Sequence, residues 1–168
     1  MFFPPISQSY ASQIVSSAVI ALFQRFQVWT RLQDLHLANI AFPRDVEGLF
    51  PTLPTLRTLY LGQATLFPVV PLASFLCDPQ MKSLKVVRLV DCYVESIWGP
   101  RVRRADLERV VAQAQQHGGM IPLVGDDAEC GGHHYDTVLD RIRTIVRCEA
   151  LTERIIGGDR ADGLGAFE

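Results

Sequence analysis

The chain has 168 residues, enough for one domain and a short tail, and its 48% hydrophobic and 20% charged content is ordinary for a soluble globular protein. Its net charge of -2 gives no basis for binding a phosphate backbone, which calls for a basic patch. Cys77, Cys92, Cys130 and Cys148 form no CxxC pair and no dense spacing, which points away from a disulfide framework, and reduced thiols in the cytoplasm or nucleus, an intracellular setting, are expected.

Residues 1–8, with Pro4-Pro5, read as an irregular lead-in. From Ser9 to Gln27, Val15, Val19, Leu22, Phe23 and Phe26 follow helical spacing, and Ser9 or Ser12 supplies a cap. Residues 1–24 hold no charged side chain, which raises the question of a signal or a membrane span. Serines and glutamines interrupt the stretch, and no Lys or Arg precedes the apolar run Ala18 to Phe23. Neither a secretory signal nor a span fits that pattern, so a buried amphipathic helix and no membrane partner are expected.

The next stretch repeats itself. Phe26, Trp29, Leu32, Leu35 and Leu37 recur as Phe50, Leu53, Leu56, Leu59 and Leu61, displaced by 24 residues from Leu32 to Leu56. A looser copy, Met81, Leu84, Val87 and Leu89, follows after a further 28 residues from Leu56 to Leu84. The alternation Leu35, Leu37 is strand-like, and the same holds in each copy. Val46 to Phe50 is expected as a short helix or turn, and Leu72 to Cys77 as a short helix after the Pro68–Pro71 connection. Arg101-Val-Arg-Arg104 is expected to be a solvated loop and helix start.

Leu107, Val110, Val111 and Ala114 share one face of a helix over Ala105–Gln116, stopped by Gly118-Gly119. Met120 to Val124 reads as a further strand, and 125–132 as a loop. Thr137 to Ala150 reads as helical, with Leu139, Ile142, Ile145 and Val146 on one side, and 157–168 as a disordered tail.

The repeated stretch resembles the leucine-rich repeat, L-x-x-L-x-L-x-x-N/C-x-L. The matching positions are Leu32, Leu35, Leu37, Ile40, Phe42; then Leu56, Leu59, Leu61, Ala64, Leu66; then Leu84, Val87, Leu89, Cys92, Val94. Only the third copy carries the N/C residue; Ile40 and Ala64 replace it in the others. The spacings look like the ribonuclease-inhibitor-like class, and the Pro-punctuated connectors resemble the repeat regions of fungal F-box-type proteins. No F-box motif itself is evident. The resemblance implies an α/β fold: a short solenoid arc of about three parallel strand repeats with helical caps, because one repeat cannot bury its leucines alone. On that reading 9–124 is a repeat domain covered by helices at both ends, and 125–156 is a loop plus C-terminal helix.

Side chains alternate faces along a strand. With Leu35 and Leu37 turned to the core, Asp34 and His36 face outward on the concave side, as do Thr58 and Tyr60, then Val86 and Arg88. Stacked strands place His36, Tyr60 and Arg88 in one row, and Tyr and Arg are favoured at binding hot spots. The expectation is a non-enzymatic module that binds a protein partner through this face, with substrate recognition in an F-box-like ubiquitin-ligase adaptor as what the resemblance implies. No catalytic residue, cofactor, metal or small-molecule substrate is assigned. The competing reading is a small metal- or thiol-dependent enzyme using Cys130, His133 and His134; it lacks a second spaced ligand pair and an oxyanion site. A third is an incomplete fragment of a longer repeat protein. Trp98 either plugs the end of the array or projects as an anchor.

Overall fold

The computed structural model describes residues 8–26, 28–44, 49–116, 137–156, 159–162 and 165–167. Its elements run α1 (Gln8–Phe26), β1 (Asp34–Ala38), β2 (Thr58–Gly62), α2 (Val69–Cys77), β3 (Val86–Val90), α3 (Arg104–Gln116), α4 (Val138–Ile145), β4 (Val146–Ala150), β5 (Arg154–Ile156), β6 (Asp159–Asp162) and β7 (Gly165–Phe167). The fold is mixed α/β. One sheet has the order β1-β2-β3-β4-β7; β5 and β6 form a separate antiparallel pair. The first four strands of the large sheet are parallel, and β7 runs antiparallel along β4.

Leucine spacing sets the register. Leu35, Leu59 and Val87 lie side by side, as do Leu37, Leu61 and Leu89. Their alternation points one face of each strand into the core. Each strand then ends the same way: Asn39, Gln63 and Asp91 adopt left-handed backbone with φ of 58°, 50° and 50°. Their N–H groups donate to Gly62 O, Val90 O and Glu149 O on the neighbouring strand at 2.9, 2.8 and 2.9 Å. Asn and Asp tolerate this conformation; Gln63 holds it against the usual steric preference. Ahead of each strand, Leu32, Leu56 and Leu84 donate to the carbonyls of Trp29, Leu53 and Met81.

After the turn come Ile40, Ala64 and Cys92, all buried. Cys92 Sγ lies 3.3 Å from Leu61 O, inside hydrogen-bond range for sulfur, whereas Ile40 and Ala64 have only apolar side chains to offer. The helices close the other side of the core. Val19, Phe23 and Phe26 of α1 face inward, and Phe23 stands edge-on to Phe50 at 5.2 Å. Phe50 in turn meets Phe75 of α2 at 5.5 Å. Leu107 and Val111 of α3 and Ile142 and Ile145 of α4 complete the layer. Each fully buried leucine, such as Leu56, Leu72 or Leu76, contributes about 1.5–3 kcal/mol. Arg141 is buried among them and donates to Leu76 O at 3.0 Å and to Met81 O, tying α4 to the end of α2.

Core positions are less covered at the β1 end. Trp29 is 46% exposed, against 5% for Leu53 and 0% for Met81 at the matching positions. Leu37 is half-buried while Leu61 and Leu89 are fully buried. Among the described residues no strand lies on the outer side of β1.

The structure departs from several sequence expectations. The helix expected over Thr137–Ala150 stops at Ile145, and Val146–Ala150 is a strand. Val146, Cys148 and Ala150 alternate into the core, and pairing with β3 satisfies the backbone that a continued helix would have served. The boundary at 124/125 lies outside the described residues; α4 lies against α3, and β4 belongs to the same sheet as the strands before it. The expected disordered tail over 157–168 holds β6 and β7. β7 covers the edge of β4, pairing Cys148 with Phe167 and Ala150 with Gly165, whose φ of 126° only glycine adopts readily. Arg101, expected in a solvated cluster, is buried and ion-paired to Asp91. The Met120–Val124 strand, most of the short element at Val46–Phe50 and the Cys130–His134 loop lie outside the described residues. Among the described residues no helix is long and apolar enough to cross a membrane.

Candidate functional site

The exposed face of the parallel strands carries the residues singled out from the sequence. Asp34, Thr58 and Val86 share one cross-strand row; His36, Tyr60 and Arg88 share the next. Asp34, His36, Val86 and Arg88 are exposed, and Thr58 and Tyr60 are half-buried. The rows exist because parallel pairing keeps like positions of successive copies side by side, about 4.8 Å apart.

The second row is in contact along its length. The His36 and Tyr60 rings lie 3.9 Å apart between centroids, inclined at 53°. The Arg88 guanidinium sits 5.7 Å from the Tyr60 ring centre, within cation–π range. Arg88 also forks onto Glu149: Nε donates to Oε1 at 3.1 Å and Nη2 to Oε2 at 2.8 Å. These hydrogen bonds hold the Glu149 carboxyl below its ordinary range and raise the Arg88 guanidinium above its own. Both partners are solvent-accessible, so the pair fixes the position of Arg88 more than it stabilises the fold.

Gly62 explains the pose of Tyr60. A Cβ at position 62 would stand 2.7 Å from Tyr60 Cε1, so the ring lies over the glycine, one alternation further along the same strand. Gly62, which the alternation turns outward, is accordingly buried, and Val90 beside it on β3 is buried as well. The row continues onto β4, where Arg147 stands beside Arg88. Arg147 Nη1 donates to the carbonyls of Arg143 and Val146, both at 3.1 Å. The face thus carries Asp34 and His36 on β1, Tyr60 on β2, Arg88 on β3, and Arg147 with the Arg88-bound Glu149 on β4.

The sequence pattern does not single out Arg147 and Glu149, because it reads as helix through Ala150. The signal for them is the alternation of Val146, Cys148 and Ala150. Gly62 carries no signal beyond its position after Leu61.

The three described thiols do not add a nucleophile. Burial pushes Cys77 up to about 11 and Cys92 and Cys148 up to about 12, so all three stay protonated at neutral pH. Cys130, His133 and His134 lie outside the described residues, where no geometry can be assigned to them. Among the described residues no group of three His, Cys, Asp or Glu side chains is placed to hold a metal ion. Trp98, 64% exposed, projects from the loop after β3 and does not plug the sheet, whose end is covered by β4. No protein-family profile matches the chain, and no curated protein or solved structure is significantly similar to it.

Proposed function

We propose that the units centred on β1, β2 and β3 form a short leucine-rich-repeat arc, of the ribonuclease-inhibitor-like kind, that binds a protein partner through its strand face. The arc reading is supported by the turns that recur at Asn39, Gln63 and Asp91, in step with the leucines. The observation that carries the binding reading is the contiguous row His36–Tyr60–Arg88, its rings and guanidinium in contact, with His36 and Arg88 exposed and Tyr60 half-buried between them. A tyrosine and an arginine held in fixed poses lose little side-chain freedom when a partner docks. Asp34, Thr58 and Val86 border the row and supply a carboxylate, a hydroxyl and an apolar patch. The mechanism is complementarity of shape and charge, with no bond made or broken. Substrate recognition in an F-box-like adaptor is the role that the family resemblance suggests for such a face.

The test compares the native chain with the triple variant His36→Ala, Tyr60→Ala, Arg88→Ala in proximity labelling inside cells. The expected result is a partner set labelled by the native chain and lost with the variant, whose circular dichroism and urea midpoint stay close to native. An unchanged partner set on a folded variant overturns the assignment.

A further inference from the structure

Beyond the ends of the strands, the chain builds an open groove of about 600 Å³. Its floor is Leu66, Phe67 and Val69 of the middle unit. Arg44 reaches it from the unit of β1, and Val94 and Glu95 from the unit of β3. The three units stay joined here by backbone bonds: Thr65 donates to Ile40 O, and Leu66 to Glu95 O at 2.7 Å. Arg44 and Glu95 therefore line the same groove from the first and third units.

Three properties set this groove apart from ordinary surface. Arg44 and Glu95 are exposed, and among the described residues neither side chain makes an ion pair or a hydrogen bond. Leu66 holds φ of 54°, a left-handed backbone that is an outlier for a bulky side chain. Pro43, Pro68 and Pro71 are among the lining residues and offer no backbone N–H, and Arg44 and Glu95 are the charged side chains of that lining.

We infer that this groove binds an extended peptide segment with an acidic and a basic residue separated by two apolar ones. The acid pairs with Arg44, the base with Glu95, and the apolar residues lie over Leu66 and Val69. The spacing follows from the sheet: two strand separations span about 10 Å, the reach of three extended residues at about 3.3 Å each. A volume of this size falls in the usual range for ligand sites, which sit on apolar floors with few polar groups. The site is separate from the strand face, on the loops that follow it.

Fluorescein-labelled, end-blocked tetrapeptides test it: Asp-Leu-Leu-Lys, the reverse order Lys-Leu-Leu-Asp, and the neutral Asn-Leu-Leu-Gln, measured by anisotropy. One charged order is expected to bind about fivefold tighter than the neutral peptide, as two exposed ion pairs allow, and to weaken with salt. The exchange Arg44→Glu with Glu95→Arg is expected to transfer that preference to the other order. Equal binding of all three peptides, or a preference that survives the exchange, overturns the inference. So does loss of peptide binding in the folded His36→Ala, Tyr60→Ala, Arg88→Ala variant, which places the peptide on the strand face instead.

Discussion

Asp91 and Arg101 lie 3.2 Å apart with both side chains only 3% exposed. Asp91 Oδ2 also accepts from Thr152 N at 3.1 Å and Thr152 Oγ1 at 2.8 Å, and Arg101 stacks 5.6 Å from the Tyr93 ring centre. This pair links the turn after β3 to the segment after β4. Removing one member strands the other in a site that water does not reach. Arg101→Met and Asp91→Asn are each expected to cost about 3–5 kcal/mol, measured by urea unfolding. The double variant is expected to lose less than the sum, because neither charge is then left alone. Asn at 91 keeps the left-handed turn, so the loss reports the charge and not the backbone.

Gly62→Ala places a methyl group where the Tyr60 ring now lies. The ring is the far end of a movable side chain, so it swings away and the backbone stays. Stability is expected to change by less than about 1 kcal/mol. The contact between His36 and Tyr60 is expected to break, read as loss of the ring-current shift on the His36 protons by NMR. Unchanged His36 shifts in a folded variant would show that the glycine does not set the ring's pose.

The Arg88–Glu149 fork gives a small acid-sensitive contribution. Glu149 is held below its ordinary value of 4.5, so the stabilisation is full above that value and disappears as pH falls through the lower folded value. Both groups are partly solvated, which limits the effect to about 0.2–1 kcal/mol. The difference in stability between the native chain and Glu149→Gln is expected to shrink toward zero between pH 5 and strongly acid conditions, and to be smaller in high salt. A difference that grows on acidification would contradict this sign.

Cys77, Cys92 and Cys148 are expected to resist alkylation in the folded protein. At pH 8 their raised values leave on the order of one thiolate in a thousand or fewer, behind a packed core. Iodoacetamide followed by mass spectrometry should modify these three only after denaturant is added. Prompt modification of Cys92 in the native protein would show that the turn beside Leu61 opens readily.

The leucine spacing made the first three strands and their register legible, because a slip of one residue would turn Leu35, Leu59 and Val87 out of the core. The placement of His36, Tyr60 and Arg88 follows from that register alone. The fourth strand was hidden for a physical reason. Its alternating Val146, Cys148 and Ala150 follow directly on a strongly amphipathic helix, and Arg143 stands where the earlier copies carry Leu32, Leu56 and Leu84. Glu149, the partner of Arg88, was hidden with it. β7 left no trace because a short antiparallel edge is selected by backbone groups on β4 and asks little of its own side chains. The burial of Arg101 depends on Asp91 and Thr152, whose approach only the folded chain creates.

Trp29 and Leu37 leave the sheet with two unlike ends. At the β4 end the antiparallel β7 interrupts the parallel register. At the β1 end the backbone of Asp34–Ala38 and the half-covered apolar positions continue the pattern outward, with no described strand to receive it. Growth of this architecture is therefore directional. An added unit with the same leucine spacing, spliced between Phe26 and Asp34, would meet, among the described residues, an edge strand and half-covered apolar positions. The same unit spliced after Ala150 would first have to evict β7.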